Sequence, residues 1–259
     1  MQEIKDIAIK LFGTNSPCRC GGEHEVCLNC HVCRATQPDM LWDESKPIAE
    51  YLDATVLKAD AKETDIKALC EHAYANSCKA VCINSHYLPF AVTITKGKVG
   101  LCTVVNFPLG SNTNDAVLAE AEAVLAEELD ELDMVQNLSA LLSGYWEASY
   151  QGILEVRKAC DDYDTLLKVI IETCFLSREQ LIVSCLIAKK AGTDFVKTST
   201  GMGSGGATTE NIKLMRDIVG PKLGVKASGG VRTREDALAM LKAGASRIGT
   251  SNAKGIIEG

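Results

Sequence analysis

Three lysines stand where lysine is least expected, inside short apolar runs: Lys168 in LLKVII, Lys197 in DFVKTST and Lys226 in GVKASGG. Each run reads as a strand, and a charge in a strand core is costly unless it is paired. Asp133 in ELDMVQN and Glu172 in VIIET hold similar places in the same kind of run. Amines packed together and partly withdrawn from water hold their protons less tightly. One of the three can then attack a carbonyl and form a Schiff base, with Asp133 as a neighbouring acid–base group. For any single lysine the plainer reading is an ion pair, or an amine reaching solvent at the strand end. Three lysines with two acids weigh against that reading for the set.

Two glycine-rich segments follow the second and third of these runs. STGMGSGG spans Ser199–Gly206 ahead of a helix starting near Thr208, and ASGG spans Ala227–Gly230 ahead of Val231 and Arg232. Such turns can aim several backbone N–H groups at an anion, helped by a helix N-terminus. Ordinary glycine turns between strand and helix are the competing explanation. Neither segment is a GxxxxGK[ST] phosphate loop, and no dinucleotide fingerprint follows a first strand.

These residues need a scaffold, and the chain supplies one from about residue 50. β-rich runs at Glu50–Leu57, Ala80–Asn84, Val99–Phe107 and Glu131–Gln136 are followed by four more, Leu166–Glu172, Phe195–Ser199, Gly224–Ala227 and Arg247–Thr250. Helical segments separate them. Asp60 with Glu63, Ser177 with Gln180 and Thr233 with Asp236 have capping-box spacing, and Val117, Leu118, Ala121, Val124 and Leu125 form an inner face on a helix over 113–128. Eight strand–helix units predict an α/β fold, a closed (β/α)8 TIM barrel, with a doubly wound open sheet as the rival. In either fold ligands gather at the carboxyl ends of strands. The polar residues at those ends include Asp53, Asn84, Asn106 and Glu172 as well as Asp133 and the lysines. The stretch Asn252–Ile257 could add the short extra helix that often completes a phosphate site in barrels.

Residues 1–47 read as a separate appendage and 48–259 as the barrel. Ile4, Ile7, Ala8, Leu11 and Phe12 have helical spacing over residues 1–12, and Gly13 stops the helix. This amphipathic helix could cover the barrel, pair in a homodimer or dock the enzyme onto a protein assembly. Next comes CRCGGEHEVCLNCHVC, which carries Cys18, Cys20, Cys27, Cys30 and Cys33, with His24 and His31. That spacing suits a structural zinc or an iron–sulfur cluster; reduced thiols on a tail are the simpler alternative. The other seven of the 12 cysteines are scattered through apolar stretches and read as reduced core thiols. The net charge is −7 with no sustained basic run, so nucleic acid and anionic membranes are not expected partners. No segment approaches the roughly 20 apolar residues of a membrane span, and no signal-peptide pattern is present. A cytoplasmic location is expected.

Taken in order, LDATVLKAD, TVVNFPLG, ELDMVQN, LLKVIIET, DFVKTSTGMGSGGAT and GVKASGGVRTREDALAMLKAGASRIGTS resemble the deoxyribose-phosphate aldolase family from about residue 50 onward. The resemblance implies a class I aldolase that reversibly splits 2-deoxy-D-ribose 5-phosphate into D-glyceraldehyde 3-phosphate and acetaldehyde, with no cofactor for catalysis. Small phosphosugars and aldehydes would be its substrates, in deoxyribonucleotide and carbohydrate catabolism. It implies Lys197 as the Schiff-base lysine, Lys226 as the amine that lowers its pKa, and Asp133 as the acid–base residue. Lys168, Asn84 and Thr198 would complete the polar network, and Gly205, Gly206, Gly229, Gly230, Ser251 and Asn252 would hold the phosphate. The chain departs from the family pattern at Ala54, Cys174 and Asn252. A related Schiff-base aldolase and a noncatalytic scaffold are the alternative functions.

Overall fold

The eight β-rich runs become eight parallel strands that close on themselves in sequence order, β1 pairing with β8. A computed structural model describes residues 2–13, 38–127 and 129–259. The strands are β1 Leu52–Val56, β2 Ala80–Ile83, β3 Gly100–Val105, β4 Glu131–Val135, β5 Leu166–Ile170, β6 Phe195–Lys197, β7 Gly224–Ser228 and β8 Arg247–Thr250. The closed barrel is the expected one, and the open sheet is excluded. Parallel strands covered by helices are buried on both faces and therefore read as near-continuous apolar runs. Several strands are shorter than the sequence suggests. The first gives its start to a 3-10 turn at Ile48–Tyr51, and the third ends where Asn106 turns to φ +54.

The outer layer begins with α2 Glu63–Ala75, α3 Leu88–Thr95 and α4 Asn114–Leu125, followed by α5 Leu138–Leu142 and α6 Trp146–Asp162. It is completed by α7 Arg178–Ala191, α8 Thr209–Val219, α9 Arg234–Ala243 and α10 Ala253–Glu258. The capping boxes of Ser177 with Gln180 and Thr233 with Asp236 form as their spacing predicts. Asp60 does not cap α2. The helix starts later, and Asp65 reaches back to accept from the Lys62 N–H at 2.9 Å, because a carboxylate three residues past the cap satisfies one of the free amides of the first turn.

Helix α1, Gln2–Phe12, buries Ile4, Ile7 and Ala8 in the main core cluster, with Leu11 and Phe12 partly covered. It lies against α7. Glu3 pairs with Arg178 at 3.1 Å and Lys10 with Glu179 at 3.2 Å, while Lys190 stands over the Phe12 ring. The apolar face of α1 is thus committed to the protein's own barrel. Among the described residues no helix is long and apolar enough to cross a membrane. Cys70, Cys78, Cys82, Cys102, Cys160, Cys174 and Cys185 are free thiols, all buried except the half-buried Cys174.

Candidate active site

Side chains alternate along a strand, so every second residue faces the barrel axis. This barrel is unusual in what it places there, since barrel interiors are normally filled by branched apolar residues. Asp53 of β1, Glu131 and Asp133 of β4, Lys168 of β5, Lys197 of β6, Lys226 of β7 and Arg247 of β8 are all buried and bonded to one another. The closed sheet brings together residues up to 194 positions apart.

The cluster has two levels. At the lower one, Arg247 Nη1 donates to Asp53 Oδ1 at 2.7 Å and to Glu131 Oε2 at 2.9 Å, with its guanidinium stacked over Phe195. Gly224 makes room for that ring, which a β-carbon there would overlap. Lys168 links the levels, with Nζ at 2.6 Å from Glu131 and 2.7 Å from Asp133 Oδ1. At the upper level Asp133 Oδ2 accepts from Lys197 at 2.6 Å and from Lys226 at 2.8 Å, and Lys226 also pairs with Asp53. Cys102 Sγ donates to Asp133 Oδ1 at 3.2 Å.

The electrostatics differ from simple crowding of amines. Burial pushes the Asp133 carboxyl up, but the ammonium groups of Lys168, Lys197 and Lys226 overcome it and hold the group well below the ordinary carboxylate range. Burial likewise pulls Lys168 and Lys226 down, and Asp133 with the neighbouring acids more than reverses this, so both amines are held above the usual lysine range. Three lysines do meet, as their strands predict. Mutual depression is not the result for Lys168 and Lys226, because Asp53 and Glu131 enter the cluster with Asp133. Burial raises the Cys102 thiol well above its ordinary value, with Cys82 adding to the shift.

The two glycine segments meet above the sixth and seventh strands. Ala207 N–H donates to the carbonyls of Ser228 and Gly229 at 3.1 and 3.0 Å. Gly229 and Gly230 take φ +81 and +84, backbone open to glycine with little strain. The N–H groups of Gly205, Gly206, Gly229 and Gly230 donate to no acceptor among the described residues. They are a concentrated source of free donors at the carboxyl ends of the strands, beside the N-terminus of α8. Ser251 is exposed at the end of β8.

Family recognition of a Schiff-base aldolase is decided by comparison with known proteins. Residues 48–259 match the family model described as DeoC/LacD family aldolase. The chain belongs to that family. It is 47% identical over 210 residues to deoxyribose-phosphate aldolase 1 of Vibrio vulnificus, covering 81% of this chain and 95% of that one. It is also 47% identical over 215 residues to the deoxyribose-phosphate aldolase of Thermococcus gammatolerans, covering 82% and 96%. Among solved structures, the tetrameric deoxyribose phosphate aldolase of Aeropyrum pernix superposes with a TM-score of 0.76 at 32% identity, covering 82% of this chain and 89% of that one. The protein is therefore a class I aldolase, a carbon–carbon lyase.

Other expected members of the aldolase site are placed differently. Thr198 is buried, with its hydroxyl donating to the Ser228 carbonyl at 2.9 Å and accepting from the Ser228 N–H at 3.0 Å. It ties β6 to β7, since a neighbour of the inward Lys197 must face the other way. Asn252 caps α10, accepting from Gly255 N–H and donating to the Arg232 carbonyl at 2.9 Å; capping is the ordinary use of asparagine there. Asn84 donates to the Lys58 carbonyl at 3.2 Å, outside the lysine cluster.

The N-terminal cysteines Cys18, Cys20, Cys27, Cys30 and Cys33 lie outside the described residues. The expected zinc or iron–sulfur centre in that segment is corrected by the core. Cys82, Cys102 and Asp133 bring three candidate metal-ligating atoms within 4.8 Å of one another inside the barrel. Cys82 and Cys102 are register partners on β2 and β3, so the sheet, not a short-spaced motif, makes this cluster. At the opposite end of the barrel a cavity of about 880 Å³ is lined by Lys79, Glu131, Phe195 and Arg247 among others. It lies at the amino ends of the strands, away from Lys197 and the glycine loops.

Proposed function

We propose that the aldolase reversibly cleaves 2-deoxy-D-ribose 5-phosphate to D-glyceraldehyde 3-phosphate and acetaldehyde, with Lys197 as the Schiff-base lysine. The observation that carries this reading is Lys197 itself, an amine at the mouth of the barrel with one carboxylate partner, Asp133. Lys226 is paired to two carboxylates and Lys168 to three. Using Lys197 as the nucleophile therefore disrupts the ion network least. Condensation with the open-chain aldehyde releases water and leaves an iminium. As the C2–C3 bond breaks, its electron pair moves into that iminium and gives the enamine of acetaldehyde, while the C3 hydroxyl loses its proton and becomes the aldehyde of the second product.

Asp133 is the proton-transfer residue in this scheme, acting through water on the C3 hydroxyl and then on the enamine. Lys226 and Lys168 fix its carboxylate and keep positive charge beside the imine. The free N–H groups of Gly205, Gly206, Gly229 and Gly230 take the phosphate, with Ser251 at the edge. We assign the catalytic domain to residues 48–259 and treat 1–47 as an appendage. The buried face of α1 favours packing on the barrel over docking to another protein. The tetrameric Aeropyrum pernix relative supports an assembly of identical subunits, and a cytoplasmic location accords with a chain rich in free thiols.

Borohydride reduction in the presence of 2-deoxyribose 5-phosphate tests the mechanism. The native chain should gain the mass of an acetaldehyde-derived adduct, which peptide mapping places on Lys197. The Lys197→Ala protein should gain none. A folded native chain that forms no adduct would overturn the reading.

A further inference from the structure

Glu172, just beyond β5, makes none of the contacts that join the lysine cluster. Its backbone is left-handed, φ +52 and ψ +66, a conformation that is a genuine departure for a residue other than glycine, asparagine or aspartate. Its side chain is almost wholly buried. A buried carboxylate needs donors, and three reach it. Oε2 accepts from the Thr200 N–H at 3.1 Å and from the Thr200 hydroxyl at 2.5 Å, while Cys174 Sγ approaches Oε1 at 3.7 Å. Thr200 Oγ1 in turn accepts from the Met202 N–H at 3.0 Å. The carboxylate therefore grips the start of the turn that runs to Gly205 and Gly206.

The same pair of side chains forms the surface on which that turn rests. A β-carbon at Gly203 would come to 2.8 Å from Cys174 Sγ and 3.4 Å from the Glu172 carboxylate, and one at Gly205 would be 3.1 Å from Cys174 Cβ. The turn lies as close to Glu172 and Cys174 as a backbone without side chains can. On its other side it meets Gly229 through Ala207 N–H. The Glu172 carboxyl group is engaged by Thr200 and Cys174, while the carboxylate partner of Lys197 is Asp133. Strained backbone held by a buried, fully engaged side chain is the pattern expected where a loop must be fixed in one shape.

We propose that Glu172 is a positioning residue for phosphate recognition. By holding Thr200 it sets the Ser199–Gly206 turn at the height where its N–H groups converge with those of Gly229 and Gly230. The proposal rests on the phosphate reading above. Its signature is selective: loss of Glu172 should weaken use of the phosphate ester and leave imine chemistry on the same sugar without phosphate.

The test compares 2-deoxyribose 5-phosphate with 2-deoxyribose in the native enzyme, Glu172→Ala and Glu172→Gln. Hydrogen bonds to a charged group are involved, so KM for the phosphate ester should rise about 10- to 100-fold in Glu172→Ala, with kcat changed far less. kcat/KM for 2-deoxyribose should stay near the native value. Glutamine keeps the shape and one acceptor and should restore much of the affinity. Equal losses on both substrates would overturn the proposal, as would an unchanged KM for the ester. Thermal unfolding of both variants identifies a folding defect, and the glutamine variant keeps the comparison decisive if alanine destabilises the chain. Competition by inorganic phosphate against the native enzyme tests the underlying reading separately: if phosphate does not compete with the ester, the phosphate site itself is misplaced, whatever Glu172 does.

Discussion

Replacing Asp133 with asparagine keeps the side-chain shape and removes the charge at the centre of the cluster. Four cations, Lys168, Lys197, Lys226 and Arg247, there face three carboxylates, Asp53, Glu131 and Asp133, leaving one positive charge in excess. The variant leaves two. Asp133 touches three ammonium groups at 2.6, 2.7 and 2.8 Å, and breaking a buried pair from one side costs about 3–5 kcal/mol. At about 2–4 °C per kcal/mol for a chain of this size, Tm at neutral pH should fall by about 6–20 °C. The pH dependence has a definite sign. Asp133 is held below its ordinary range, so its contribution is present above the unfolded value near ~3.9 and disappears as pH falls through the folded value. Lys168 and Lys226 are held above theirs, so their contribution is complete below ~10.4 and is lost only as pH rises through the folded values. The gap between native and variant should therefore hold steady around neutrality and narrow below about pH 4. Circular dichroism melts across that range, with borohydride trapping at neutral pH, measure both consequences. An asparagine variant that melts with the native protein and traps substrate at the native rate would refute the argument.

Two other perturbations probe the scaffold. In Gly206→Ala the new β-carbon would overlap the Gly229 carbonyl and stand 3.0 Å from its Cα. One loop must retreat, and because a displacement of about 1 Å at a binding site can cost about 100-fold, kcat/KM for the phosphate ester should fall by that order while reductive trapping of acetaldehyde persists. Ile4→Ala removes a side chain that is 3% exposed between α1 and the barrel. It should lower stability by about 2–4 kcal/mol in denaturant titrations and leave KM unchanged.

The barrel was legible because strands buried on both faces carry apolar runs, and the three lysines stood out because they interrupt those runs. Their partners were harder to see. Asp53, Glu131 and Arg247 each look like a residue near a strand end, and only closure of β8 onto β1 shows that they neutralise one another. Inward placement of Arg247 could have been inferred from its alternation with Gly249, although its acidic partners could not. Thr198 is instructive in the other direction. Adjacent to the inward Lys197, it had to face away by simple alternation, and motif adjacency concealed that. Glu172 was visible as an acid at a strand end, but its grip on Thr200 depends on a left-handed turn that no local pattern announces.

The ion pair between Asp53 and Arg247 also bears on how the protein is made. Synthesis runs from the amino end, so the residues of β1 emerge long before those of β8. Until then Asp53 and Glu131 lack the guanidinium that joins them at the base of the barrel, and the sheet has an open seam beside β1. Closing that seam and bridging the two buried carboxylates are a single event. A chain lacking β8 would leave Asp53 and Glu131 without their shared donor at the base of the barrel. Arg247 thus ties the eighth strand to the first and fourth through the same buried carboxylates that hold Lys226 and Lys168.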